Sequence, residues 1–123
     1  MSEQKYRGVV EQSFDGIRLV DREGRIIAWN QACERITGLG RTEMLDKFIW
    51  DVQYQLLPDG KSPADYERIK HKVQEFLRSG QVTWQDPDQV YVIQRPDGAP
   101  RFIEEMVFPV NMDEGFLGCA ITR

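Results

Sequence analysis

The chain has 123 residues, 41% hydrophobic and 29% charged, which is the size of one globular domain with a single core. Its formal net charge of -4 provides no basic surface for nucleic acid. No apolar run approaches the ~18 residues needed to span a bilayer and no signal segment opens the chain, so we expect a cytoplasmic protein without membrane contact.

The first part of the chain predicts a helical segment followed by a β-hairpin. We expect residues 1–13 to form the N-terminal helical segment. Apolar residues alternate from Ile17 to Val20, and a second run of β-forming residues covers Arg25 to Trp29. Between them, Asp21 to Gly24 supplies the residues of a tight turn. The two runs therefore pair as neighbouring antiparallel strands.

A block of helices is predicted next. Asn30 suits the N-cap of a short helix that ends at Gly38. Two further helical turns are expected at Arg41 to Leu45 and at Phe48 to Val52. The longest helix is predicted from about Ala64 to Arg78 because apolar residues recur there at helical spacing. This apolar stripe consists of Tyr66, Ile69, Val73, Phe76 and Leu77.

The last third of the chain alternates with period two and predicts three antiparallel strands. They cover Gln89 to Arg95, Arg101 to Val110 and Gly115 to Thr122. The turns between them are Pro96 to Gly98 and Asn111 to Glu114. Two strands, a helical block and three strands must share one core, so the helices have to cover one face of a five-stranded antiparallel sheet. The predicted class is α+β.

The order of several short motifs resembles a PAS domain of the sensory-box type. They are DGI, LVD, GRI, WN and ITG within residues 15–38, then RPDGAPRFIEEMVFPV and DEGFLGCAITR near the end. The resemblance covers roughly Tyr6 to Arg123 and implies a single domain over residues 1–123 with its core at 14–123. It also implies the strand order 2-1-5-4-3 and a pocket between the long helix and the sheet.

Heme and covalent flavin, which some PAS domains bind, are not expected here. His71 lies two residues before Val73, about 200° around the helix from the apolar stripe, so it faces water and cannot ligate heme iron. Light-sensing relatives carry a cysteine where this chain has Lys47 to Val52, which contains none. Cys33 and Cys119 are expected to be small core residues. We therefore predict no cofactor and no metal.

An unknown small ligand is the remaining occupant of the pocket. Strict alternation places one of the adjacent glutamates on an apolar face: Glu104 if Phe102, Met106 and Phe108 point inward, and Glu105 if Ile103 and Val107 do. Both acids reaching solvent or an arginine is the other alternative. We take Glu104 as the candidate ligand contact. The predicted pocket residues are Trp29, Asn30, Ile36, Trp50, Ile69, Val73, Phe76, Phe102, Glu104 and Met106.

No catalytic residues are predicted. The chain has neither a nucleophile with a recognisable base nor a phosphate-binding loop, so we expect no enzymatic activity of its own. The resemblance instead implies an input module cut from a larger signalling protein, with an effector domain downstream. We expect that protein to be a two-component sensor histidine kinase.

Two alternative functions remain open. The first is an input domain of a diguanylate cyclase (GGDEF) or a chemoreceptor. The second is a ligand-free protein-interaction module, and we expect a homodimer in either case. Val9, Val10 and Phe14 are the apolar residues near the N-terminus that would contact a partner copy.

Overall fold

The chain forms a five-stranded sheet with helices packed on one face. The computed structural model describes residues 3–84 and 89–123, with side chains from Gly8 onward. Within these residues, no helix combines the length and apolar character needed to cross a membrane. The elements are α1 (Glu3–Gln12), β1 (Gly16–Val20), β2 (Ile26–Trp29), α2 (Gln31–Thr37), α3 (Arg41–Met44), α4 (Ile49–Gln55), α5 (Pro63–Ser79), β3 (Val90–Gln94), β4 (Pro100–Met112) and β5 (Gly115–Thr122).

The predicted elements are found in the predicted order. The helical segment expected over residues 1–13 corresponds to α1, and its first two residues lie outside the described part of the chain. The hairpin between β4 and β5 is tighter than expected, because β4 continues through Met112. The strand pairing continues to Met112 opposite Gly115, which leaves only two residues for the turn.

The sheet is antiparallel throughout and its strand order is β2-β1-β5-β4-β3, which confirms the α+β class and the expected topology. β5 is the middle strand and pairs with β1 on one side and with β4 on the other. Arg18 and Val107 lie on either side of Ala120. Two residues further along β5, Thr122 lies opposite Glu105 of β4. Because alternate residues share a face, all five point to the same side of the sheet.

Asn30 holds the N-terminal elements together. Its side chain is fully buried and its Oδ1 accepts hydrogen bonds from the backbone N–H groups of Ile17, at 2.9 Å, and Cys33, at 3.0 Å. Its Nδ2 donates to the carbonyl oxygens of Val10, at 2.7 Å, and Asp15, at 3.0 Å. The predicted N-cap of α2 is thus also a link from that helix to β1 and the end of α1.

Helix α5 begins and ends where its sequence signals predict. Ser62 and Asp65 form a capping box at its start, and Gly80 ends it with a left-handed φ of 75°. Near its C-terminal end the helix lies directly on β5. A Cβ atom placed on Gly118 would lie only 2.9 Å from the ring of Phe76, so glycine is what permits this contact.

The outer edge of β2 is covered by the segment that precedes α4. The N–H of Ile26 donates to the carbonyl of Lys47 at 2.9 Å, and the N–H of Asp46 donates back to the carbonyl of Ile26 at 2.8 Å. The N–H of Ile49 extends the same pattern to the carbonyl of Gly24 at 2.9 Å. These bonds occupy backbone groups that an edge strand would otherwise present to another chain.

Gly24→Ala tests whether the turn between β1 and β2 has to accommodate the Trp50 ring. Gly24 has φ of 95° and a Cβ there would lie 2.3 Å from that ring, whereas Gly98 has φ of 86° with nothing within 4 Å. Both alanine variants would be strained in the backbone, but only the Cβ atom at position 24 would also collide with the Trp50 ring. We expect Gly24→Ala to lower the free energy of unfolding in urea by about 2 kcal/mol more than Gly98→Ala. Equal losses would contradict the packing described here.

Candidate functional site

A cavity of about 310 Å³ lies between the helices and the inner face of the sheet. This volume is at the lower end of the range found for small-molecule sites, and the wall is mostly apolar with a few polar groups, as such sites are. The wall is formed by Arg18, Trp29, Cys33, Ile36, Thr37, Ile49, Val52, Gln53, Leu56, Leu57, Arg68, Ile69, Lys72, Val73, Trp84, Tyr91, Val92, Ile93, Ile103, Glu105, Val107 and Thr122.

The most polar part of this wall is an ion pair between Arg18 of β1 and Glu105 of β4. The two side chains are 11% and 17% exposed, and the Nη2–Oε1 distance is 2.7 Å. A second bond joins Nη1 to Oε2 at 3.2 Å, and the Thr122 hydroxyl donates to Oε2 at 3.3 Å. Such two-pronged pairing is the strongest form of the interaction, and it fixes the orientation of both groups.

The environment favours the charged form of Arg18. Burial by itself would lower the pKa of the guanidinium, but the attraction of Glu105 and the hydrogen bonds to it outweigh that effect and raise the pKa above its ordinary value. Arg18 is therefore a permanent cation inside the fold.

A second cavity, of about 60 Å³, lies beside the first. Arg18 and Glu105 line both cavities, so the ion pair forms part of the partition between them. Phe76 and Gly118 line only the smaller cavity, at the end where α5 contacts β5. Ile49, Val73 and Val107 also line both cavities, so the partition combines this ion pair with apolar side chains.

Further positive charge comes from α5. Arg68 and Lys72, one helical turn apart, line the larger cavity and are exposed to solvent, which places them at its mouth. Arg68 also pairs with Asp65 outside the cavity at 2.7 Å. Among the described lining residues the cations are therefore Arg18, Arg68 and Lys72, and Glu105 is the acid.

Cys33 places a thiol in the wall of the larger cavity. Burial raises its pKa to about 11 because a thiolate would lose hydration there, although the nearby Arg18 cation opposes the shift. The group is therefore a neutral thiol at physiological pH. Cys119 is also buried with a raised pKa. Both cysteines pack in the interior, as expected from the sequence.

Metal ligands do not converge in the part of the chain that the structure describes: residues 3–84 and 89–123 contain no group of three His, Cys, Asp or Glu side chains able to hold an ion. His71 is exposed on α5, which confirms that it faces water. It does not line the cavity.

Four of the predicted pocket residues lie in the wall of the larger cavity. They are Trp29 of β2, Ile36 of α2, and Ile69 and Val73 of α5. The structure thus brings together residues from three different elements at one hollow. That they contact a ligand stays a prediction.

Three other candidates are buried elsewhere. The Oδ1 and Nδ2 atoms of Asn30 are both engaged in hydrogen bonds with backbone groups. Phe76 lines only the smaller cavity. Trp50 stacks on Phe48 with ring centroids 4.7 Å apart and packs against Gly24. Asn30 and Trp50 hold α2 and the hairpin in place and line neither cavity, so their prediction as pocket residues is wrong. Phe76 borders the smaller cavity, and its contact with a ligand stays a prediction.

The prediction for β4 chose the wrong face. Phe102 and Met106 are 69% and 56% exposed, and Glu104 is exposed with them, on the outer side of the sheet. Ile103 and Glu105 point inward instead. The physical reason is the period of two: once Ile103 packs against the helices, Glu105 must share its face.

A signal for the correct face was present at the other end of the chain. Arg18 lies in the middle of an apolar strand, where a cation needs an acidic partner on the same face. Glu105, rather than Glu104, is the acid that its register brings within reach. Sequence reasoning treated the two strands separately and missed Arg18, Glu105 and Thr122 as one group.

Of the residues predicted to contact a partner copy, two are accessible. Val9 is 65% exposed and Phe14 is 93% exposed. Val10 is buried within its own protomer, and its carbonyl accepts a hydrogen bond from Asn30. The prediction of Val10 as a contact residue is therefore wrong, because its side chain already packs internally.

Comparisons with known proteins agree on the fold. A family model described as PAS fold matches residues 10–122. The PAS domain of a protein from Colwellia psychrerythraea is 22% identical, with a TM-score of 0.67, and the match covers 98% of this chain and 93% of that one. A PAS domain from a two-component sensor histidine kinase is 13% identical, with a TM-score of 0.62, and the same shares of the two chains are covered.

A LOV protein from Rhodobacter sphaeroides also matches. It is 18% identical, with a TM-score of 0.67, over 98% of this chain and 65% of that one. At these identities the likeness concerns the fold alone.

Arg18→Met tests the energetic role of the buried pair. It leaves the Glu105 carboxylate with only the Thr122 hydroxyl inside the fold, so we expect the free energy of unfolding in urea to fall by about 3 to 5 kcal/mol. The double variant Arg18→Met/Glu105→Met removes both charges and should recover most of that loss. As a matched control, Glu75→Met breaks the exposed Arg78–Glu75 pair of α5 and should cost less than about 1 kcal/mol. A single variant as stable as wild type would contradict this assignment.

Proposed function

Because the chain belongs to the PAS fold family, we propose that it is the input module of a cytoplasmic two-component sensor histidine kinase and that it senses a small organic molecule. The observation that carries this proposal is the cavity of about 310 Å³ under the helices. A PAS domain is a regulatory sensor module, so the catalytic activity would reside in another domain of the parent protein. The similarity to a PAS domain from a sensor histidine kinase supports that choice of parent.

The cavity suits a small organic molecule. A space of about 310 Å³ is large enough to hold several water molecules. Water in such a space would be surrounded mainly by apolar side chains, among them Trp29, Ile36 and Ile69. Replacing it by an apolar ligand is favourable because apolar surface leaves water on both sides.

The buried ion pair offers a route from the cavity to the end of the sheet. Glu105 faces the cavity and also accepts a hydrogen bond from Thr122, the last residue of β5. Its neighbour Glu104 exchanges backbone hydrogen bonds with Arg123, at 2.9 and 3.1 Å. A ligand that binds one arrangement of this pair more tightly shifts the population of the β4–β5 end, and its differential affinity sets the size of the signal.

Covalent flavin photochemistry is not part of this proposal. The similar solved structures include light-oxygen-voltage receptors. In this chain α4 contributes Ile49, Val52 and Gln53 to the cavity, and its sequence IWDVQYQ contains no cysteine. The one thiol in the wall comes from α2 and stays protonated at neutral pH.

A second candidate function is protein interaction by a homodimer, and Phe14 favours it. This phenylalanine is 93% exposed two residues after the end of α1, and Val9 within that helix is 65% exposed. Exposed apolar groups of this size near one another are typical of contact surfaces. The same module in a diguanylate cyclase or a chemoreceptor would use this contact in the same way.

Val73→Trp tests whether the cavity binds a ligand. Val73 lines both cavities from α5, and an indole there fills the space without introducing a charge. We expect wild-type protein to retain or take up fragments of up to about 15 heavy atoms from a screening panel, with shifts of NMR signals from lining residues, whereas Val73→Trp should not. Val90→Trp, on a strand residue that does not line the cavity, is the control. If no fragment distinguishes wild type from Val73→Trp, sensing through this cavity is ruled out.

Phe14→Ser tests the proposed dimer contact. Replacing an exposed phenylalanine should not unfold the protomer, but it removes the largest apolar group available to the partner. We expect the dissociation constant measured by analytical ultracentrifugation to rise at least about tenfold, which corresponds to about 1.4 kcal/mol. Phe102→Ser, also exposed but on β4, is the matched control. Dissociation by Phe102→Ser alone would place the contact elsewhere.

A further inference from the structure

The geometry points to the chemical class of the ligand: we propose that the larger cavity binds an amphipathic monoanion, with one carboxylate directed at Arg18 and an apolar body against the rest of the wall. This inference rests on the proposed function, since it specifies what that cavity would sense. It depends on three features: the charge balance of the wall, the hydrogen-bonding capacity of Arg18, and the character of the remaining surface.

The charge balance of the wall is positive. Arg18, Arg68 and Lys72 line the cavity, and the opposing acid among the described lining residues is Glu105. Even if Asp65 neutralises Arg68 from outside, one cation is left in excess. Lys72 and Arg68 stand at the exposed end, where they favour the entry of an anion, and Arg18 lies deeper, where water screens its charge less.

Arg18 has hydrogen-bonding capacity left over. A guanidinium carries five N–H groups, and the bonds of the described residues engage two of them, both with Glu105. A second carboxylate can therefore bind to the remaining donors without breaking the existing pair. Binding to a group already fixed in place also costs little conformational entropy.

Glu105 has less to offer a cationic ligand. Its Oε1 accepts from Arg18, and its Oε2 accepts from both Arg18 and Thr122. An ammonium group entering the cavity would have to compete with these bonds and would lie close to the Arg18 cation. The group formed by Arg18, Glu105 and Thr122 therefore favours binding of a carboxylate and disfavours binding of a positively charged ligand.

Much of the remaining wall suits an apolar ligand body. Trp29, Val52, Ile69 and Ile103 contribute apolar surface, against which hydroxyl or phosphate groups would be left without hydrogen bonds, while Thr37 and Gln53 add a few polar groups. A volume of about 310 Å³ accommodates a bicyclic aromatic or a short aliphatic acid. Sugar phosphates, which carry polar groups along their whole length, are therefore poor candidates.

The test compares three probes of one shape on the whole chain by isothermal titration calorimetry: 2-naphthoate, 2-naphthamide and 2-naphthylmethylammonium. We expect the carboxylate to bind about tenfold more tightly than the amide, because a hydrogen bond to a charged group is stronger, and the ammonium to bind most weakly. If the amide or the ammonium binds as tightly as the carboxylate, the ligand class is wrong and the sensing cavity stands. If none of the three binds, both this inference and the proposed function are overturned for ligands of this shape.

Two variants tie any preference to the proposed residues. Arg18→Met/Glu105→Met should reduce the ratio between carboxylate and amide affinities to below about threefold, because the guanidinium that would bind the ligand carboxylate is removed. Lys72→Gln, at the exposed mouth, should reduce the ratio about twofold and does not depend on the double variant folding. Lys47→Gln removes an exposed lysine that does not line the cavity and should leave the ratio unchanged. A ratio that is the same in all three variants and in wild type overturns the assignment.

Discussion

The ion pair between Arg18 and Glu105 is the interaction on which the interior depends. Two charges placed under a layer of helices lose most of their hydration, and each is tolerated only because the other is within hydrogen-bonding distance. Their pairing spans β5, where the small side chain of Ala120 lies beside Arg18. A shift of one residue in either strand pairing would turn one charge outward and leave the other alone, so the register of three strands follows from this pair.

Asn30 and Arg18 show how two buried polar side chains can have opposite roles. Asn30 has its acceptor oxygen and both of its amide hydrogens engaged by backbone groups, and it lines neither of the two cavities described above. It can only hold the scaffold. Arg18 is held in place by Glu105 and lines both cavities. Its bonds to described residues leave three of its five N–H groups available. A buried polar group that is fully satisfied stabilises the fold, whereas one that is partly satisfied next to a cavity is where a ligand gains affinity.

Local patterns in the sequence were enough for the helices, strands and turns, but not for the order of the strands in the sheet. Turn residues at Gly24 and Gly98 and the apolar period along α5 each act within a few residues, and the resemblance supplied the strand order. The site was harder, because the face on which β4 places its glutamates is decided by packing against distant elements. Asn30 and Trp50 were predicted as pocket residues, but the Asn30 side chain bonds to the backbone at the start of β1. The Trp50 ring packs against the hairpin turn at Gly24. Contacts between residues far apart in the chain cannot be read from one strand at a time.

The contact between Phe76 and Gly118 has a mechanical consequence for α5. At that end the Phe76 ring packs directly against the backbone of β5 at Gly118, so the helix can move there only if the ring is displaced. One to two turns earlier, at Lys72 and Ile69, the same helix lines the larger cavity. A molecule that enters or leaves the hollow therefore contacts the middle of α5, between this anchored end and the hydrogen bond from the Tyr66 hydroxyl to Asp51 of α4.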